Sequence, residues 1–273
     1  MAEADPKRTH GRTGRAGPCD PTGNNGLGDG ISGSPDGLQP RVKVEIYSDV
    51  VCPWCYIGHA RFARAVERYR AKGGEVEVEF RPFQLAPDAE SNGELTLKWA
   101  AEKFGGSERA AQMFGRVTEV ATEDGLVLDF DRSIQANTFD AHRLIRLAGE
   151  QGKGEEALYA LFRAHFTDGL DVGSREALSK LATELGVRAD LEGEDGAAAV
   201  KEELAHARAL GVSSVPLFLF EGQFAVSGAQ PEDTLLAALE EVAERTGQSP
   251  AARAVKAAAS GGDACDDEGY CAV

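Results

Sequence analysis

The sequence predicts an α/β fold, a β-α-β unit and a β-β-α unit separated by a long all-helical block. Three observations carry this expectation. Residues 42–80 give two runs of alternating apolar and charged residues with a helical period between them. Residues 90–208 are helical in pattern. Two short apolar runs joined by Glu221-Gly222, then one more helix, follow at residues 215–247.

Taken in order, residues 1–40 are rich in Gly, Pro, Asp and Asn, and read as a disordered tail. They hold no apolar segment like that of a secretory signal, and the lone Cys19 reads as incidental. The first half of the fold spans 41–90. Val42, Val44 and Ile46 alternate with Lys43 and Glu45 as a strand. In ARFARAVERYRAK, Phe62, Val66 and Tyr69 recur at helical spacing, and Gly73-Gly74 end the helix. Val76, Val78 and Phe80 alternate with glutamates as a second strand.

The helical block, 91–208, includes SERAAQMFGRVTEVATEDG, FDAHRLIRLAGEQG and SREALSKLATELG. Ser107 and Ser174 are its expected N-caps. The second half spans 209–247. VPLFLF and QFAVSG are its strands, and PEDTLLAALEEVAERTG is a helix with acids in its first turn and a closing Gly247. Residues 248–273 form a tail that ends in CDDEGYCAV.

A chain of 273 residues suits one large domain or a domain with an insertion. Its net charge of −16 argues against general nucleic-acid binding, which needs clustered Lys and Arg. No run approaches the roughly 20 apolar residues that span a bilayer, so no membrane partner is expected. Five cysteines do not make a disulfide scaffold at this length. The expected compartment is the reducing cytoplasm, where paired cysteines are more often catalytic or metal-binding than structural.

The cysteines cluster as Cys52/Cys55 and Cys265/Cys271. The first pair lies in SDVVCPWCYIG, at a strand-to-helix junction. Free N–H groups and the macrodipole favour an anion there, and cysteines so placed have pKa values of about 3.5–7.5. Cys52 is therefore the expected thiolate nucleophile, and Cys55, within one turn, its resolving partner. Pro53 suits an early helical position because it has no N–H to lose. Trp54 should be exposed and touch a partner.

Half of a zinc site is the rival reading, and it needs a second ligand pair. Five residues lie between Cys265 and Cys271, wide for a zinc knuckle. A redox pair is favoured over zinc, and zinc over packing. His59, one turn beyond Cys55, reads as a helix-surface residue or as a cation favouring the thiolate. His142 reads as a helix-surface histidine. Asp49 reads as a proton carrier for Cys55 or as a solvated loop acid.

A β-α-β unit with CPWC, followed by a strand-strand-helix unit opened by Val-Pro, is the plan of a thioredoxin fold. The sequence resembles the DsbA-like thioredoxin oxidoreductases, and among them the FrnE-like branch. The resemblance rests on SDVVCPWCYIG (48–58), VEFRPFQLAP (78–87), NTFDAHRL (137–144), GVSSVPLFLF (211–220) and AVSGAQ (225–230). It implies that the helical block is the insertion such proteins carry beside the active site. It also implies a cis Pro216 facing the CPWC pair, with Val215 offering backbone atoms to an extended substrate. Where relatives often have Gly, this chain has Ser214.

The resemblance further places Asn137 and His142 at the cleft as substrate contacts. Cys265 and Cys271 become a second pair that exchanges disulfides with Cys52–Cys55, the neighbouring acids making them slower nucleophiles. The implied activity is thiol–disulfide exchange, as a protein disulfide oxidoreductase or isomerase, without cofactor or metal. The implied partners are proteins carrying disulfides or thiols, with a small thiol as a further candidate; oligomeric state stays open. Two alternatives remain. One is a glutathione-dependent isomerase or transferase of the 2-hydroxychromene-2-carboxylate isomerase (kappa-class) type, which uses Ser where this chain has Cys52. The other is a metal-binding or chaperone-like module.

Overall fold

The computed structural model describes residues 41–252. Strand β1 (Val42–Ser48) leads through residues 49–52 into helix α1 (Pro53–Ala71), and β2 (Val76–Pro82) returns parallel to β1. The register runs from Val42 beside Val76 to Ser48 beside Pro82. Strand β3 (Leu217–Phe220) pairs antiparallel with β1, and β4 (Phe224–Ser227) with β3. The sheet order is β2-β1-β3-β4. Its central strand buries Val42, Val44 and Ile46 completely, as the alternation requires. Glu221 (φ 52°) and Gly222 (φ 64°) both turn left-handed in the β3–β4 hairpin.

Helix α1 begins seven residues before the segment its apolar period marks, because Pro53 can open it without losing a hydrogen bond. It packs against α8 (Glu232–Arg245) over a core of Phe62, Val66, Phe218, Phe220, Leu235 and Leu239. Arg64 and Arg68 bond Glu232 across this contact, and Arg61 bonds Asp124 at 2.7 Å. These pairs fix the helix that carries the cysteines.

Between the two halves lie α2 (Thr96–Phe104), α3 (Ser107–Glu123), α4 (Phe139–Gly149), α5 (Gly154–Arg163), a π-helical turn (Ala164–Asp168), α6 (Arg175–Glu184) and α7 (Ala197–Ala209). Their apolar faces form a second core that reaches Cys52, Cys55 and Ile57, and Phe80 packs against both cores. Ser174 caps α6 as expected, its Oγ accepting from the Ala177 N–H at 3.4 Å. Ser107 does not cap α3. Gly106 takes that position at φ 118°, which disfavours any side chain, and Ser107 becomes the first helical residue.

Arg143 of α4 is 1% exposed, and its guanidinium is fully engaged. It donates to the carbonyls of Asp190, Leu191, Gly193 and Asp195 and to Asp140 Oδ1, at 2.7–3.2 Å. One side chain thus holds the turn between α6 and α7 against α4. Among the described residues no helix is long and apolar enough to cross a membrane.

Candidate active site

Cys52 is the N-cap of α1, at φ −90° and ψ 112°. Its carbonyl accepts from the N–H groups of Cys55 (3.0 Å) and Tyr56 (3.3 Å), with Pro53 between as the first helical residue. Its Sγ lies 3.8 Å from the carbonyl oxygen of Val215. The next peptide bond, Val215–Pro216, is cis, as the resemblance implies. The two halves of the fold therefore meet at one sulfur.

Gly58 makes that approach possible. A Cβ there would stand 2.8 Å from Pro216 Cγ. Replacing Gly58 with Ala is expected to push the Pro216 loop away from α1 and to cost roughly 1–3 kcal/mol. Urea unfolding checks the cost.

Both thiols are free, and they differ in access. Cys52 is 5% exposed and Cys55 fully buried, while Trp54 between them is 40% exposed. From solvent, Trp54 is reached first and Cys52 before Cys55. Burial pushes the Cys55 thiol well up, and the Cys52 sulfur beside it pushes the same way. The Asp49 backbone N–H and Ser48 oppose that shift. Behind the pair, Tyr56 stacks on Phe162 with ring centroids 4.9 Å apart, tying the motif to α5.

Several residues stand elsewhere than sequence alone suggests. His59 is not on the surface but packs among Phe80, Phe162 and Tyr159. Burial lowers its pKa to about 3, so it does not serve as a cation on α1. His142 is also buried. Its Nε2 lies 2.9 Å from the Phe83 carbonyl, which can only accept, and 3.6 Å from Asp49 Oδ1. Asp49 is a buried acid rather than a solvated one, and its Oδ2 accepts from the Leu85 N–H at 2.7 Å.

Asn137, expected as a substrate contact, serves the fold instead. Its Oδ1 accepts from Gln84 and the Phe139 N–H, and its Nδ2 donates to the carbonyls of Pro87 and Ala89. An amide has two donors and two acceptor positions, so none is left for a substrate. Cys265 and Cys271 lie outside the described residues.

Sequence reasoning passed over Ser48, Gly58 and His165. His165 sits in the π-helical turn, buried, with Nδ1 unpartnered. Such turns often occur at functional sites, but nothing in the local sequence marks this one.

The sequence model of the DsbA-like thioredoxin domain matches residues 43–240. The chain belongs to this family. A probable DsbA oxidoreductase from Streptomyces coelicolor is 33% identical, with a TM-score of 0.68 over 74% of this chain and 90% of its own. The uncharacterized protein YwbO of Bacillus subtilis is 28% identical over 199 residues, 70% of this chain and 92% of its own. A 2-hydroxychromene-2-carboxylate isomerase shares the fold, with a TM-score of 0.54 at 16% identity over 75% of this chain and 97% of its own.

The buried histidines give this DsbA-like chain a directional pH dependence. Burial lowers His59 to about 3 and His165 to about 4, from an ordinary value of 6.5. Both stay neutral while folded and take a proton when unfolded. Their stabilisation is therefore complete above about pH 6.5 and is lost as pH falls toward 4 and 3. By pH 4.5 each contributes a loss of roughly 2 kcal/mol or more. Urea midpoints at pH 7 and 4.5 should separate, and His59→Leu should narrow the gap; an unchanged gap contradicts this role for His59.

Proposed function

We propose that this chain is a thiol–disulfide oxidoreductase of the DsbA/FrnE type. Cys52 thiolate attacks one sulfur of a substrate disulfide, forms a mixed disulfide and releases the other sulfur as a thiol. Cys55 then gives up its proton and attacks Cys52 Sγ, releasing the second substrate thiol and closing Cys52–Cys55. Two electrons pass to the substrate, and the reverse sequence oxidises a dithiol.

The observation that carries the reading is Cys52 Sγ at the start of α1, 3.8 Å from the Val215 carbonyl, with Cys55 buried one turn behind. Trp54 and the Val215 backbone are the proposed substrate contacts, with Pro53 shaping the motif between the cysteines. His142, the other proposed cleft residue, holds its Nε2 against the Phe83 carbonyl and Asp49. The proposed partners are protein disulfides or thiols, with a small thiol as second partner. The proposed compartment is the cytoplasm.

Cys265 and Cys271 remain the proposed shuttle pair. Replacing both by Ser should slow turnover without abolishing the first exchange at Cys52, and unchanged turnover would remove the shuttle.

The family's fold also serves a 2-hydroxychromene-2-carboxylate isomerase, but two free cysteines one helical turn apart favour redox chemistry here. The test is reduction of a disulfide-linked peptide by the pre-reduced chain. One equivalent of dithiol should be delivered per chain, with Cys52–Cys55 recovered as a disulfide by peptide mapping. Stable glutathione binding with no dithiol delivered would point to the isomerase class instead.

A further inference from the structure

A pocket of about 700 Å³ lies between α1, β1, β2, α4 and α5. Pockets of about 300–1,000 Å³ hold small organic ligands. Cys52, Trp54, Cys55, Val215 and Pro216 do not line it, so it stands apart from the exchange site. Its floor is apolar. Ile46 of β1 stands beside Phe80 of β2, and Phe62, Val66 and Leu158 extend that surface.

The inner end is polar without being charged. Ser48 lies two residues past Ile46, on the same face of β1, and the His59 ring packs against Phe80 with centroids 5.5 Å apart. Both residues line the pocket and are at most 3% exposed. Ser48 Oγ and His59 Nε2 have no hydrogen-bond partner among the described residues. Burial holds His59 neutral. Buried polar atoms of this kind call for a partner, and a neutral hydroxyl suits them where an ion would lose its hydration.

The outer end is acidic. Tyr56 stacks on Phe162, and His59 meets Tyr159, whose hydroxyl donates to the His59 carbonyl at 3.2 Å. Rising positions on α1 therefore face falling positions on α5. One turn further on each helix come Ala63 and Glu155, and Glu67 follows Ala63 by another turn. All three line the pocket. Glu67 and Glu155 are exposed and have no ion-pair partner among the described residues. The guanidiniums of Arg81 and Arg146, by contrast, are taken up by Glu45, Glu79, Glu150 and Glu203. Arg70, also in the wall, donates to the Val76 carbonyl at 3.4 Å. Five carboxylates against three guanidiniums leave the wall net negative.

We propose that this pocket binds an organic cation, with a neutral hydroxyl toward Ser48 and His59, an apolar body on the floor and an ammonium between Glu67 and Glu155. From His59 to Glu67 is about 12 Å along α1 at 1.5 Å per residue, and helical side chains lean back toward the N-terminus. That span suits one ring with a short alkylamine arm. The inference does not rest on the disulfide-exchange reading.

The test is calorimetric titration of the full-length reduced chain with three probes of similar size: tyramine, the uncharged alcohol 4-(2-hydroxyethyl)phenol and the anion 3-(4-hydroxyphenyl)propionate. Tyramine should bind one per chain with a Kd of about 0.1–1 mM, ordinary for so small a ligand. The alcohol should bind at least fivefold more weakly, and the anion not measurably. Glu67→Gln with Glu155→Gln, both at exposed positions, should weaken tyramine at least fivefold and leave the alcohol within twofold. Ser48→Ala should weaken amine and alcohol alike, and Ala63→Phe, which narrows the pocket, should block both.

Tyramine affinity no higher than that of the alcohol or the anion, or unchanged by the paired Gln exchanges, would overturn the cation class. Parental tyramine affinity in both Ser48→Ala and Ala63→Phe would place the amine elsewhere and overturn the site. No saturable binding of any probe would overturn the pocket as a ligand site.

Discussion

Replacing Cys52 with Ser should abolish disulfide exchange, whereas replacing Cys55 with Ser should leave the first step intact and stall the chain as a mixed disulfide. Cys52 is the sulfur an incoming disulfide can reach, set at the helix start against the Val215 carbonyl. A serine hydroxyl there is neither ionised near neutrality nor able to form a disulfide. Loss of a catalytic nucleophile costs on the order of 10⁴-fold or more. Cys55 is buried and acts only after Cys52 has reacted. Intact-mass analysis after incubation with a disulfide peptide checks both variants, each made with Cys19, Cys265 and Cys271 replaced by Ser. The Cys55→Ser chain should carry one peptide adduct that dithiothreitol removes, and the Cys52→Ser chain none on its CPWC segment. Equal adducts on both variants would show that Cys55 attacks substrate directly.

Replacing Arg143 with Ala should give the largest loss of stability of any single change distant from the cysteines. The variant strips the donors from four carbonyls between Asp190 and Asp195 and from Asp140 Oδ1. Each buried group left unpaired costs about 1–3 kcal/mol, and breaking a buried charged contact about 3–5 kcal/mol. Arg175 still holds Asp140 Oδ2, which softens the loss at that carboxylate. A net cost of roughly 3–5 kcal/mol is expected. Arg143→Lys should not restore it, because an ammonium cannot match the planar fork that serves five acceptors at once. Urea unfolding measures both variants. A loss below about 1 kcal/mol would mean that solvent satisfies the turn as well as Arg143 does.

Much of the fold was legible because its signals are local. The alternation at 42–46 and 76–80 fixed the parallel pair, and the apolar runs around Glu221-Gly222 fixed the hairpin. CPWC at a strand-to-helix junction pointed to Cys52 before any geometry was known. What escaped depends on partners far along the chain. His59 belongs to an amphipathic helix and looks exposed, but α5 supplies Tyr159 and Phe162 to cover it. His142 and Asp49 are buried together because the 83–85 segment bonds to both of them. Asn137 has the chemistry of a ligand contact, yet its four bonding positions close on nearby residues. Gly58 is one of 32 glycines, and only the position of Pro216 shows why it has no side chain.

The most direct measurement is an equilibrium titration of the chain in glutathione buffers of graded potential, read by alkylation mass and Trp54 fluorescence. The account predicts a reversible two-electron transition in which Cys52 and Cys55 lose reactivity together. Its midpoint should fall between about −270 and −120 mV, the range of thioredoxin-fold exchangers. Both thiols remaining alkylatable in every buffer, with no change in fluorescence, would contradict the claim that this pair is the redox centre.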